Sequence, residues 1–424
     1  MPQTFLDVAC TLCGCVCDDL QVDVADGSIT AARGTCHISE PWFASLAKPS
    51  RRAAAFIEGT AVSLSTAVDR AADILHASQA PLIWGLTRSS TAGHRAAIAL
   101  AEQLGGTIDT AISCDTAAAL AMQHVGQSTC SLGELRNRAD LIVFWFANPV
   151  VTHPRHLERY SVEPHGLFVP RGRADRTVVT VDSARTETGQ LADMFLQIAP
   201  ENEVAAIEAL GRLIRNEAIG ETTFEAEIVE QVRQLATKMK SCKYGALLFG
   251  GGRDGAKIGT ETIERLLKFT SELNQFTRFT AHYLASGGAL TGAENVLTWQ
   301  TGFPFAVNFA SGYPRFDPQE FAAEGLLERG EVDACVLVGS QAVQNLSQAA
   351  QANLKTIPTI SLDYPNADPG LSATVQFTTA IYGIHVAGTA YRMDGISIPL
   401  RKLLPTNYPS DDEVLDRIAA RLKS

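Results

Sequence analysis

The chain reads Cys10-Thr-Leu-Cys13-Gly-Cys15-Val-Cys17-Asp-Asp19 near its N-terminus, and a further cysteine follows in Gly34-Thr35-Cys36. Five of the nine cysteines therefore fall within one short stretch. The spacing of Cys10, Cys13 and Cys17 lets one tight loop direct three thiolates at a common point, and the glycine inside the loop permits the sharp turn. A fourth thiolate, from Cys36, would complete the four-sulfur ligand set of a 4Fe-4S cluster.

The segment between Cys17 and Cys36 predicts a β-hairpin. Residues 20–30 alternate between apolar and polar side chains, with an Asp-Gly pair at positions 26 and 27 where the chain would turn. A hairpin returns the chain to its starting point, and this return is what would bring Cys36 back to the other cysteines.

Three other interpretations of the cysteines stay open. Structural zinc uses the same ligands, although zinc ribbons usually supply them as two Cys-x2-Cys pairs, and Cys36 stands alone. Cys15 is a surplus thiol, which leaves room for a dithiol redox pair or a shifted choice of ligands. Disulfides are the third interpretation, and the absence of an export signal argues against them.

Composition indicates a globular protein with several domains. The 424 residues are enough for two or three domains, and the sequence predicts regions at 1–48 (a cysteine-rich module), 49–240 and 241–424. Hydrophobic residues make up 46% and charged residues 19%, and the net charge of −11 argues against a nucleic-acid binder. Since no segment resembles a membrane span or an export signal, we expect a cytoplasmic protein with no membrane partner.

The order of the predicted helices and strands is that of a parallel α/β sheet. A helix is expected from Ser63 with Ser65 as its cap, then a buried strand at 81–85, then a helix that ends at Gly105-Gly106. Alternation of strands and helices is typical of parallel sheets covered on both faces.

One strand pattern occurs twice. Residues 139–148, 177–182 and 191–200 read as three successive elements, and residues 332–340, 358–363 and 371–380 repeat them. Two copies of a Rossmann-like unit, with polar groups at the carboxyl ends of the strands, predict a crevice for an elongated cofactor or the remnant of one. Asp182 and Arg185 are the predicted cofactor-binding residues of the first copy, although duplication for packing alone would give the same pattern.

Three further features could carry chemistry. Gly251 and Gly252 lie in a glycine-rich loop after a strand, where backbone amides could approach a phosphate, although an ordinary turn between strand and helix fits equally well. The segment His153-Pro-Arg155-His156 could recognise an anion or hold a metal, although a structural or partner-contact loop is the safer interpretation. Cys114 precedes a predicted helix start, a position that favours a thiolate, whereas a buried spare cysteine is the commoner outcome.

Taken together, the motifs resemble the B subunit of formylmethanofuran dehydrogenases over nearly the whole chain. The matching segments follow one another in order along the sequence: Cys10 to Asp19, Gly133 to Asp140, Asn148-Pro149 with His153 to His156, Trp299 to Val307, Gly312 to Arg315 and Gly388 to Asp394. The resemblance implies the fold of molybdopterin-dependent formate dehydrogenases. It also implies that Cys10, Cys13, Cys17 and Cys36 hold a 4Fe-4S cluster and that Cys15 is a bystander.

The same resemblance exposes a departure at the position that binds the pterin-coordinated metal. Active members carry a cysteine followed by His and Gly-Pro, whereas this chain carries Cys114, Asp115, Thr116 and Ala117. An ionised Asp cannot act as a cationic donor, and it repels a carboxylate substrate by about 1 to 4 kcal/mol at a separation of roughly 4 Å in solvated surroundings. Cys114 is therefore interpreted as a vestigial ligand position, and molybdopterin or tungstopterin is not the expected cofactor.

Such an altered site resembles the bacterial counterpart, the B subunit of a formyltransferase/hydrolase complex. That complex moves a formyl group from tetrahydromethanopterin to a methanofuran-type carrier and hydrolyses it to formate. The resemblance implies hydrolase and formyltransferase subunits as partners and a structural, redox-inactive role for this chain. The alternatives are an active tungsten or molybdenum dehydrogenase subunit and an electron-transfer module that carries only the cluster.

Overall fold

The computed structural model describes residues 3–48, 50–110, 117–219, 224–250, 259–285, 287–368 and 370–423. The strands are, in chain order, β1 Gln3–Val8, β2 Leu20–Ala25, β3 Ser28–Arg33, β4 Ala55–Ile57, β5 Thr60–Ala61, β6 Pro81–Gly85, β7 Thr107–Thr110, β8 Leu141–Trp145, β9 Thr177–Asp182, β10 Met194–Gln197, β11 Tyr244–Phe249, β12 Arg278–Tyr283, β13 Val307–Asn308, β14 Arg315–Phe316, β15 Ala334–Val338, β16 Thr359–Asp363, β17 Val375–Thr378, β18 Gly388–Tyr391 and β19 Ser397–Leu400.

Helices alternate with many of these strands. In chain order they are α1 Ser39–Ser45, α2 Leu64–Ala77, α3 Thr91–Leu104, α4 Ala117–Val125, α5 Leu132–Arg138, α6 Pro149–Thr152, α7 Glu187–Gln190, α8 Glu203–Ile214, α9 Ala226–Ser241, α10 Thr260–Leu273, α11 Leu290–Thr301, α12 Pro318–Phe321, α13 Ala323–Glu328, α14 Gln348–Leu354 and α15 Asp411–Arg421. Within the described ranges, no helix has both the length and the apolar composition that crossing a bilayer requires.

The chain forms two compact units. Unit 1 comprises Met1–Cys114 and Gly287–Ser424, and unit 2 comprises Asp115–Ser286. This division differs from the three consecutive regions predicted from the sequence, because unit 1 is built from both ends of the chain. Its strand β6, from the first segment, pairs in parallel with β15, from the second. Pairing between such distant segments leaves no local signal in the sequence.

Unit 1 contains a nine-stranded sheet in the order β14-β13-β7-β6-β15-β16-β17-β4-β5, and its five central strands are parallel. One face packs against apolar residues of α2, α3, α11 and α15. The opposite face packs against α13 and α14. Because both faces are covered, β6 and β15 are buried along their whole length and consist mainly of apolar residues.

Unit 2 contains a five-stranded parallel sheet in the order β10-β9-β8-β11-β12. The predicted repeat is confirmed at the level of strand order. β8, β9 and β10 are adjacent parallel strands in unit 2, and β15, β16 and β17 are adjacent parallel strands in unit 1. The direction in which successive strands are added reverses between β8 and β11 in unit 2 and between β6 and β15 in unit 1. Open α/β sheets bind ligands at the carboxyl ends of the strands at such a reversal.

Local predictions for the first helices are confirmed except at one cap. The predicted apolar face of α2 is buried as expected, and Gly105, at φ +62°, ends α3. The cap of α2 is Ser63, whose hydroxyl accepts the backbone N–H of Thr66, whereas the predicted cap Ser65 lies inside the helix. Ser63 is the cap because a capping residue has a non-helical backbone, and the backbone of Ser63 is extended, at ψ 151°.

Candidate functional site

Residues 9–19, here called the cysteine loop, connect β1 to β2 in unit 1. The backbone N–H of Cys10 donates to the carbonyl of Cys17 at 2.8 Å and closes the loop. The predicted hairpin is confirmed, since β2 and β3 pair antiparallel and Asp26 and Gly27 both have positive φ at the turn. Cys36 follows this hairpin, and its backbone N–H donates to the Ser39 hydroxyl at 2.9 Å.

Each of the five cysteines of the segment interacts with at least one other. Burial raises the pKa of the Cys10 thiol far above its ordinary value, and negative charge at Cys13, Cys17 and Cys36 adds to that rise. A hydrogen bond from Cys15 lowers the pKa of Cys13, while bonds to Cys13 and Cys17 raise that of Cys15 well above its ordinary value. Cys10 therefore lies within electrostatic reach of the other three predicted ligands, and buried Cys15 is hydrogen-bonded to two of them, Cys13 and Cys17.

Four thiols are the donor set that a 4Fe-4S cluster takes in proteins. The eight cysteines of the described ranges are all thiols rather than disulfides. In those same ranges, however, no three or more His, Cys, Asp or Glu side chains are arranged as a ready metal site. The assignment of Cys10, Cys13, Cys17 and Cys36 as cluster ligands therefore stays a prediction.

The C-terminal half of unit 1 holds the cysteine loop in place. The backbone N–H of Met393, in the turn between β18 and β19, donates to the Gly14 carbonyl at 2.9 Å. Gly288 lies directly against the loop, because a Cβ atom there would come within 1.9 Å of the Thr11 carbonyl oxygen. Buried Val16 packs with Tyr382 in one apolar cluster.

An ion pair lies beside this contact. Two guanidinium nitrogens of Arg392 donate to the two carboxylate oxygens of Asp394, each at 2.8 Å. The side chains are 11% and 0% exposed. A bidentate, charge-assisted pair of this kind fixes the turn that contacts Gly14. Both residues belong to a motif of the family resemblance, and the fold gives that motif a structural role at the cysteine loop.

Several predicted site residues lie outside the described residues. These are Cys114 and Asp115, the predicted metal position, and Gly251 and Gly252 of the glycine-rich loop. Their roles stay predictions from the sequence. The described part of that loop ends at Gly250, which directly follows β11 and has a φ of +119°.

Asp182 lies where predicted, at the carboxyl end of β9, and is fully buried. Its carboxylate accepts the backbone N–H of Ser183 at 2.7 Å. Sequence reasoning missed its neighbour Glu203, which accepts the indole N–H of Trp145 at 2.7 Å. Burial, and then the charge of Asp182, raises the pKa of Glu203 to about 7, partly offset by that hydrogen bond. Two buried carboxylates therefore lie within electrostatic reach of each other.

We predict that Glu203 makes unit 2 less stable as the pH rises. Its pKa is near 4.5 when unfolded and about 7 when folded. Below pH 4.5 Glu203 is protonated in both the folded and the unfolded state, and its contribution to stability is complete. As the pH rises to and through 7 that contribution is lost, and the free energy of unfolding falls by at most about 3 kcal/mol. Urea unfolding of wild type and Glu203→Gln at several pH values measures the difference, and the variant should have the flatter profile. Glu208→Gln, a change on the same helix that removes an exposed ion pair with Arg265, should keep the pH dependence of wild type. Equal slopes for all three proteins would contradict the prediction.

Arg185, three residues after Asp182, differs from it in burial. It is exposed, its guanidinium lies 4.9 Å from the centre of the Phe195 ring, and both residues line a groove of about 550 Å³. Asp182 does not line that groove. The joint role of Asp182 and Arg185 as cofactor-binding residues stays a prediction from the sequence.

The His153–His156 segment follows α6 and is mostly buried. His153 Nε2 donates to the Ala285 carbonyl at 2.9 Å, and His156 Nδ1 lies 3.0 Å from the Ser161 hydroxyl. Burial lowers the pKa of both histidines, which keeps them neutral. Arg155 forms an ion pair with Glu158. These contacts favour the structural interpretation of the segment over anion recognition.

Two further buried residues near these histidines gave no sequence signal. Cys130 lies before α5 and its Sγ is 3.4 Å from Nε2 of His282, which lies on β12. The charge of His282 contributes to the lowered pKa of His156, so the side chains are close. Because the three come from separate segments, only the tertiary structure reveals their proximity.

Comparison with known proteins identifies the family. A scan against protein-family models finds no match. The chain is 33% identical, over its full length and 99% of the relative, to the B subunit of tungsten-containing formylmethanofuran dehydrogenase 2 from Methanocaldococcus jannaschii. It is 31% identical to the protein of the same description from Methanococcus maripaludis, over 99% of both chains. The chain belongs to the family of formylmethanofuran dehydrogenase B subunits.

A further relative belongs to a formyltransferase/hydrolase complex. The chain is 27% identical to the B subunit of the formyltransferase/hydrolase complex of Methylorubrum extorquens, over 87% of this chain and 98% of the relative. A crystal structure of that complex with methylofuran contains a chain that superposes with a TM-score of 0.70 at 24% identity, over 87% of this chain and 99% of that one. The superposition shows a shared α/β fold. The family resemblance found in the motifs is thus confirmed.

Proposed function

We propose that this member of the B-subunit family is a structural, redox-inactive component of a formyltransferase/hydrolase complex. Such a complex would convert formyl-tetrahydromethanopterin to formate through a methanofuran-type carrier during one-carbon oxidation. The observation that carries the proposal is Asp115, which follows Cys114 where active members carry His. The bacterial relative, whose name describes a formyltransferase/hydrolase complex, supports it.

The physical reason is electrostatic. A protonated His beside the metal could donate a proton and attract formate, whereas an ionised Asp donates none and repels a carboxylate. A repulsion of about 1 to 4 kcal/mol corresponds to roughly one to three powers of ten in binding. The chain would then provide surfaces for the hydrolase and formyltransferase subunits, which carry out the chemistry.

We further infer that the fold is that of the molybdopterin oxidoreductases, with residues 1–48 as a cysteine-rich module. The two parallel sheets and the gathering of the cysteines support this inference. A 4Fe-4S cluster held by Cys10, Cys13, Cys17 and Cys36 would supply electron transfer when bound. Iron analysis of Cys36→Ser against Cys242→Ser, a thiol of unit 2, would test the ligand assignment.

A second candidate function is an active tungsten or molybdenum dehydrogenase subunit. It is favoured by the higher identity to the tungsten-containing relatives and by matches that span 99% or more of this chain, against 87% for the bacterial relative. In that case Cys114 would hold the metal and the cluster would carry electrons. The two candidates differ in what the purified complex contains.

We predict that the complex, purified with its partner subunits, contains neither tungsten nor molybdenum in near one-to-one amount with this chain. Elemental analysis measures the metals, and viologen-linked oxidation of formate measures activity. Asp115→His should leave that oxidation undetectable, because a scaffold lacks the rest of the site. A pterin-bound metal in stoichiometric amount, or a gain of about tenfold or more in activity from Asp115→His, would establish the second candidate instead.

A further inference from the structure

Unit 1 contains a cavity of about 390 Å³ that none of the predicted site residues lines. Four separate segments form most of it: the residues between α1 and β4, the loop that follows β16, the loop that follows β17, and residues 404–408. Cavities of a few hundred cubic ångströms are large enough for small molecules. The loops after β16 and β17 place it at the carboxyl edge of the parallel sheet.

The charged residues that line the cavity are all basic. Lys48, Arg51 and Arg52 line it, and none of its described lining residues is acidic. Asp26 and Asp368 are close to lining residues in sequence, but they do not line the cavity. Because the whole chain carries a net charge of −11, a cavity bordered by three cations is not a consequence of composition. Such a concentration of one sign of charge attracts anions.

The positive charges are not neutralised within the described ranges. Lys48 and Arg51 are exposed, and neither forms an ion pair with a described carboxylate. The Arg52 guanidinium donates to the side-chain oxygen of Gln376 at 3.1 Å and lies 5.2 Å from the centre of the Phe56 ring. Both contacts are with uncharged groups, so its charge is also available to a ligand.

Hydrogen bonds hold the basic segment in position. The Tyr408 hydroxyl donates to the Arg52 carbonyl at 2.8 Å, and the Asn366 amide donates to the Ser45 carbonyl at 3.0 Å. His385 adds a neutral donor to the lining. Its Nδ1 accepts the backbone N–H of Ile381 at 3.1 Å, which leaves Nε2 to carry the proton. Groups that are already held in place lose little entropy when a ligand binds.

We propose that this cavity binds a small polyanion that carries two or more phosphate or carboxylate groups. Arginine and lysine supply charge and several N–H donors, and phosphate and carboxylate oxygens are the acceptors that guanidinium groups match in pairs. No residue of the cysteine loop lines this cavity. It therefore goes beyond the proposed scaffold role.

The test is calorimetric titration of the purified full-length chain, and of the assembled complex, with inorganic pyrophosphate and with citrate. One-to-one saturable binding is expected, weakened by added salt because exposed charges are screened. Arg51→Gln and Lys48→Gln should each weaken binding about tenfold, since each removes one unit of charge near the anion. Arg70→Gln, an exposed change on α2 away from the cavity, is the matched control and should leave the affinity within about twofold.

The two probes separate the sources of the anion. Binding of pyrophosphate alone assigns a phosphate-bearing ligand, and binding of citrate alone assigns a polycarboxylate. The absence of saturable binding for both would overturn the proposal, as would an equal loss of affinity in the Arg70→Gln control. Binding to the isolated chain that vanishes in the assembled complex would indicate an acidic segment of a partner protein, and would also overturn it.

Discussion

Asp394→Asn is expected to lower the free energy of unfolding by about 3 to 5 kcal/mol, because it removes the carboxylate that pairs with the buried Arg392 guanidinium. The pair is bidentate and both side chains are nearly inaccessible to solvent. The turn that carries Asp394 donates a backbone hydrogen bond to Gly14. We therefore expect the cysteine loop to loosen as well, and iron content and thiol reactivity measure that effect.

The matched control for this substitution is Asp69→Asn. Asp69 pairs with Arg421 at 2.7 Å in the same unit, but the two side chains are 54% and 51% exposed. An exposed pair contributes about 0 to 1 kcal/mol, so the control should unfold almost like wild type. Urea unfolding measures both variants. Equal small losses for the two would show that burial of Arg392 and Asp394 does not stabilise the fold.

Gly288→Ala is expected to destabilise unit 1 by about 3 kcal/mol and to displace the cysteine loop. The new Cβ would lie 1.9 Å from the carbonyl oxygen and 2.3 Å from the carbonyl carbon of Thr11. Both atoms belong to the backbone, so no side-chain rotation relieves the overlap. Because Thr11 lies between Cys10 and Cys13, we also expect a lower iron content than in wild type.

Gly133→Ala is the control for this change. The nearest atom to a Cβ at position 133 is the Ser131 hydroxyl oxygen at 3.6 Å, which is an ordinary contact. Position 133 lies in α5, where alanine is favoured over glycine by up to about 1 kcal/mol. Thermal unfolding and iron analysis of both variants decide the matter. If Gly288→Ala behaves like Gly133→Ala, the close approach of Gly288 to the loop is wrong.

The histidines of the His153–His156 segment illustrate the limit of reasoning from motifs. Their residue types allowed anion recognition, metal binding or a structural role. The fold pairs Arg155 with Glu158 and directs His153 at the Ala285 carbonyl, on a distant part of the chain. The Arg155–Glu158 pair is local in sequence, but nothing in the segment indicates Ala285 as a partner of His153. Similarly, Asp182 and Arg185 are three residues apart but differ in burial.

The sequence by itself determined the features that depend on neighbouring residues. The turn at Asp26-Gly27, the apolar face of α2, the buried strands and the repeated three-strand pattern all follow from local backbone preference and hydrophobic periodicity. The order of the motifs also identified the family. Tertiary structure alone decided that both ends of the chain form unit 1, that Gly288 and Met393 hold the cysteine loop, and that Lys48, Arg51 and Arg52 border a cavity. These contacts join segments hundreds of residues apart, and packing, not local sequence, determines which distant surfaces meet.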